Sequence, residues 1–198
     1  MGYTFGGKIG LNFNLNYQIT LDFMHRNADQ RYYFQPREDV QEWVKTVNYR
    51  SFDLPLLFRH NSDNGSFLEI GPQFSFINGA TETDKAGVET DISNQFTETN
   101  FGAVIGFGSF MLGANNTYLV FGLRIHYGFL DLITYEGGRG FDTYLPVRNG
   151  ELDEYEPGFT FDGYKPTTPL SALAYLEINY DLAYLVRSEC KRTALRFF

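Results

Sequence analysis

The residues able to do chemistry fall at polar positions of an alternating pattern. They are Lys8, Asp22, Asp53, Arg59, Glu69, Arg124, His126, Glu177 and Asp181. Charges kept inside a membrane protein face the interior and are paired. This set is therefore read as a polar network filling a narrow lumen, with Arg124, Glu69, Glu177, Asp53, His126 and Asp181 as its members. Arg124 is expected to be the hub, because it is the only arginine placed mid-strand and inward. Glu69 or Glu177 is its expected partner. Arg59 is expected at the rim beside a short turn, hydrated, and so of less consequence.

Catalysis would need a nucleophile and a base near the outer rim, facing lipid. His126 falls mid-strand and inward, with no serine at an obvious partner position, and His25 stands alone nearer the rim. Glu151, Asp153, Glu154 and Glu156 offer oxygen ligands of the kind calcium takes, but the run lacks the glycine turn of a calcium loop. A solvated acidic loop fits it better. Phosphate loops, cysteine pairs and nucleophile elbows are absent. No catalytic residue, metal or cofactor is assigned, and the chain is read as a non-enzyme. Cys190 is the only cysteine, so no disulfide within the chain can form.

The elements that place these residues are strands. From Tyr3 to Phe23 every second residue is apolar or aromatic except Gly7, and those between are polar, charged or glycine. Successive side chains of an extended chain point to opposite faces. One strand of that length would span roughly 65–70 Å at ~3.3 Å per residue. A turn at Asn14-Leu15-Asn16 therefore folds it into a hairpin that pairs Phe13 with Tyr17 and keeps the parity. The pattern returns along the chain, with aromatics and no charge on the greasy face. That combination predicts an all-β fold, a transmembrane antiparallel up-and-down β-barrel of about eight strands, with lipid outside and a polar lumen.

Strands are expected at about 3–13, 17–27 (reaching toward Phe34), 49–60, 66–78, 97–113, 117–133 and 169–184, with Thr193–Phe198 a short eighth. Pro55 lies inside the third and removes one ladder donor. Asn64-Gly65 signals a hairpin, pairing His60 with Ser66 and Phe58 with Leu68. After Pro36, the acids Glu38 and Asp39 and the face Val40, Trp43, Val44 and Val47 suggest a short helix, with an irregular loop as the alternative. The uncharged run Phe101–Leu123 is long enough for a membrane helix. Its five glycines and Asn115-Asn116 make it two strands and a turn instead.

Short turns (14–16, 61–65, 114–116, 187–192) alternate with long loops (28–48, 79–95, 134–168). This is the outer-membrane arrangement, in which short turns are periplasmic and long loops extracellular. Met1 then falls at the extracellular end of the first strand, which suggests either a further strand upstream or closure by Thr193–Phe198. No export leader precedes the pattern, so a mature or trimmed chain is expected.

The bulk numbers agree with one barrel domain over 1–198. Aromatics reach 18% and the net charge is -8, while mean hydropathy is only -0.29. An acidic chain without a basic stripe argues against nucleic acid. The longest loop is acidic and aromatic. Its Tyr144, Tyr155, Phe159, Phe161 and Tyr164 suit contact with a partner.

Four stretches carry a family resemblance. Phe52-Asp53-Leu54-Pro55-Leu56-Leu57-Phe58-Arg59 resembles the L-E-I-P-L-L-x-K strand of Bacteroidota PorT-like outer-membrane barrels. Leu68-Glu69-Ile70-Gly71-Pro72-Gln73-Phe74 resembles their following G-P strand. The run from Asn100 to Gly108 is similar to their D-x-G-x-x-x-G-x-G strand, and that from Arg124 to Phe129 to their R-Y-x-x-G-L strand. Asn100 stands where the pattern has Asp, Ile125 where it has Tyr, and the last loop is unusually long. The likeness covers about residues 1–133 and the seventh strand. It implies an eight-stranded outer-membrane barrel in contact with outer-membrane lipid or lipopolysaccharide and with other outer-membrane proteins. The role it implies is structural or accessory, linked to type IX secretion. A lipid-modifying enzyme of the outer leaflet and a narrow solute pore are the alternatives.

Overall fold

The computed structural model describes residues 2–13, 16–34, 43–83, 87–114, 116–133 and 168–180. Alternating residues make strands throughout: β1 Tyr3–Asn12, β2 Tyr17–Phe34, β3 Trp43–Asn61, β4 Ser66–Thr83, β5 Glu89–Asp91, β6 Thr99–Ala114, β7 Thr117–Gly128 and β8 Leu170–Tyr180. They form one antiparallel sheet in the order β1-β2-β3-β4-β6-β7-β8, with the short β5 added on β4. The fold is all-β, and the path is the expected up-and-down meander.

Side chains show how far the sheet curls. Lys8 on β1 meets Glu177 on β8 at 2.5 Å, and Arg124 on β7 meets Asp22 on β2 at 2.7 Å. The two edges therefore face one lumen. Seven long strands leave β1 and β8 running in the same direction, and no ladder joins them among the described residues. The expected strand at Thr193–Phe198 lies outside the described residues.

Parity holds. Leu56, Phe58, Ile70, Phe74, Ile105 and Phe121 are exposed on the outer face, while Leu57, Arg59, Glu69 and Val104 are buried within. Phe101–Leu123 is two strands around a turn, with Ala114 opposite Thr117.

Four local expectations are corrected. The helix expected after Pro36 is contradicted at Trp43–Lys45, which belong to β3 and pair with Phe34, Tyr33 and Tyr32 of β2; residues 35–42 lie outside the described ones. A full-length cross-strand ladder outweighs a short helical pattern, and Val47 serves an inward strand position equally well.

The second concerns the 61–65 hairpin, where His60 pairs with Leu68 and Phe58 with Ile70, two residues from the expected register. The Ser66 amide and hydroxyl both donate to Asn64 Oδ1, and Gly65 takes a φ of 81°. That tightens the turn, and a shift of two keeps every side chain on its face.

Third, β4 runs beyond residue 78. Arg50 pairs with Gly79 and Ser51 with Ile77, so Asn78 is the extra residue of a bulge. One extra residue inverts parity, which puts Ala80 and Glu82 inside. Alternation breaks at that point in the sequence, so period-two patterning alone ends the strand there.

Finally, β7 stops at Gly128, and the following residues turn in over the lumen. Ile133 bridges Phe96, and Thr97 donates to the Leu132 carbonyl. Ile92, Phe96, Leu132 and Ile133 pack with inward Val47, Tyr49 and Ala80 into a buried apolar lid at the long-loop end. Pro55 does not end β3, but the β2–β3 ladder skips Asp22–Phe23 opposite Leu54–Pro55.

Candidate functional site

The strands deliver their inward polar residues to the middle of the lumen, where Glu69 is the centre. Its Oε2 accepts from Arg59 Nε at 2.9 Å and Nη2 at 2.8 Å. Its Oε1 accepts from Arg124 Nε at 2.5 Å and from the Tyr175 hydroxyl at 3.0 Å. Arg124 Nη1 continues to Asp22 at 2.7 Å, while Arg59 Nη1 and Nη2 reach Glu177 at 3.2 Å. Lys8 and the Asn179 amide close on Glu177. Guanidinium suits this geometry because its planar fork can bridge two carboxylates. Each arginine also lies against a ring: Arg59 is 4.0 Å from the centroid of Phe67, and Arg124 is 4.6 Å from that of Tyr175.

The expected arrangement is thus revised. Glu69, not Arg124, is the hub. Glu177 pairs with Arg59 and Lys8 rather than with Arg124. Arg59 is not a hydrated rim residue, since its relative exposure is 0%. The hairpin register explains the error: Arg59 sits directly opposite Glu69, two residues further from the turn than expected.

Asp53 forms a separate pair with Arg26 at 3.1 Å and accepts from the Ser51 hydroxyl. His126 lies inward on β7 and is buried. Asp181 and the loop residues Tyr144, Tyr155, Phe159, Phe161 and Tyr164 lie outside the described residues, as does the acidic run 151–156. Arg26 was missed, although it continues the inward series Thr20, Asp22 and Met24 of β2. Tyr175 lies at an inward position of β8, but only the structure shows that its hydroxyl reaches the hub.

Four cations, Lys8, Arg26, Arg59 and Arg124, thus meet four carboxylates, Asp22, Asp53, Glu69 and Glu177. The network is electrically neutral. Among the described residues no group of three or more His, Cys, Asp or Glu side chains is placed to hold a metal ion.

Inward glycines make the space. A Cβ on Gly106 would lie 2.7 Å from Glu69 Oε1 and 3.0 Å from Arg124 Cγ; one on Gly122 would lie 2.5 Å from the Tyr175 hydroxyl. Gly106→Ala should therefore push the hub apart and cost about 1–3 kcal/mol as overpacking. Gly7→Ala on β1, where nothing lies within 4 Å, serves as the control. Urea midpoints in liposomes check this. Equal midpoints for the two variants would remove the spacing argument.

Residues 1–134, about two thirds of the chain, match the family described as outer membrane protein beta-barrel domain. No curated protein and no solved structure matches the chain.

Proposed function

We propose, from the premise that this chain belongs to the outer membrane protein beta-barrel domain family and resides in the outer membrane, that it is a structural or accessory barrel working within a larger outer-membrane assembly. The observation behind this reading is the filled lumen. Arg59, Leu57, Glu69, Gln73, Val104 and Val120 are fully buried in it, and the apolar lid covers its long-loop end. A small barrel so packed has its interior committed to stability. Its outer face and loops then carry the function, with outer-membrane lipid or lipopolysaccharide and other outer-membrane proteins as partners. The role is non-enzymatic in this reading. The likeness of four strands to PorT-like barrels favours type IX secretion as the assembly.

Two measurements test it. Deletion should reduce secretion of type IX cargo, and crosslinking in intact cells should join the chain to that apparatus. Normal secretion together with an uncrosslinked chain would overturn the reading. In planar bilayers the purified protein should be silent. Steady unit conductance would favour the narrow-pore alternative, and altered lipid acylation in the deletion strain would favour the lipid-modifying one.

A further inference from the structure

Between the lid and the arginine network lies a second polar layer. His126 on β7 and Asn100 on β6 are buried in it, and Ser171 on β8 sits directly opposite His126. Both ring nitrogens of His126, Asn100 Oδ1 and Ser171 Oγ are buried without a hydrogen-bond partner among the described residues. Two glycines form the wall between them. Gly102 and Gly128 pair across β6 and β7. A Cβ on Gly102 would come within 2.8 Å of His126 Nε2, and one on Gly128 within 2.6 Å of Asn100 Oδ1. These four unmatched atoms therefore lie on one glycine-lined stretch of three adjacent strands.

We propose that this stretch is a cradle for ordered water, enclosed beneath the lid and held by His126, Asn100 and Ser171. Buried polar atoms of folded proteins nearly always have a partner. A buried water supplies about three hydrogen bonds to such groups. The donor set fits it. A neutral imidazole offers one N–H and one acceptor, a hydroxyl offers both, and the amide oxygen accepts. The charged neighbours, Arg26 and Asp53, form an ion pair with each other, so a neutral ligand is favoured over an ion. The lid side is tied to the cradle as well: Asn100 Nδ2 donates to the Leu130 carbonyl at 2.9 Å. Water held there exchanges slowly.

The test uses the full chain refolded in detergent micelles. Rotating-frame Overhauser spectra should show water cross-peaks at the Gly102 or Gly128 amide. His126→Phe and Ser171→Ala should each abolish them. Urea midpoints give an independent readout. In a dry layer His126→Phe would remove unsatisfied nitrogens and raise the midpoint; in a hydrated one the midpoint stays or falls. If His126→Phe does not fold, Ser171→Ala carries both measurements. No water cross-peak in the parent chain, or a raised midpoint in the folded variant, overturns the proposal.

Discussion

Glu69→Ala should destabilise this barrel by about 3–5 kcal/mol, the cost of breaking a buried ion pair from one side. It should exceed the loss from Arg59→Ala or Arg124→Ala. Glu69 is fully buried and receives two guanidinium groups and a tyrosine hydroxyl. Its removal leaves Arg59 with Glu177 and Arg124 with Asp22, and turns the neutral ion-pair network net positive. Either arginine variant leaves Glu69 one cation, but Arg124→Ala also takes the ion pair from buried Asp22, whereas Arg59→Ala leaves Glu177 with Lys8, so Arg124→Ala should cost more than Arg59→Ala. The magnitude belongs to partial removal. Replacing the whole network by well-packed apolar residues could be neutral or stabilising, because desolvation of the charges offsets much of their attraction. Urea unfolding in liposomes reads these differences, and a Glu69→Ala, Arg124→Ala double-mutant cycle isolates the pair. A Glu69→Ala loss below about 1 kcal/mol, the scale of an exposed pair, would mean that the hub is hydrated.

Period-two alternation made the sheet, its faces and the inward charge set legible, because a strand's side chains have no third direction. Register was less so. The Ser66 hydrogen bonds to Asn64 tightened one turn, shifted β3 against β4 by two residues, and so moved Arg59 to the hub. No periodic signal reports a shift of two, since it leaves every face unchanged. Bulges hide in a different way. Asn78 breaks the alternation of β4, so the inward Ala80 read as loop. The lid was illegible because its residues come from two strands and two loops and meet only in space. Pair identities within the lumen depend on the curl of the sheet, which alternation does not encode. Parity named Glu177 as inward, but only geometry shows that Arg59 and Lys8 reach it.

Leu56 and Leu57 are adjacent in sequence but should fail by different physics when made arginine. Leu56 is 45% exposed and lies on the outer face; Leu57 is 0% exposed, inside, and opposite Thr20 of β2. Leu56→Arg puts a cation against lipid, which costs about 2–4 kcal/mol near the bilayer midplane and about 0–1 near the interfaces. Its cost should fall in thinner bilayers, where the long side chain can carry its charge to the headgroups. Phe121→Arg, also outward, should behave in the same way. Leu57→Arg adds a fifth cation beside a network whose four cations are already matched by four carboxylates among the described residues. It also forces a larger side chain into a closed space. The four carboxylates of the network are already paired, so the penalty of a poorly compensated buried charge, about 3–5 kcal/mol, applies whatever the lipid. Unfolding in liposomes of short and long acyl chains separates the two. The Leu56→Arg loss should shrink in the thin membrane while the Leu57→Arg loss stays constant. A common dependence on thickness would mean that both side chains meet lipid, which the alternation of β3 does not permit.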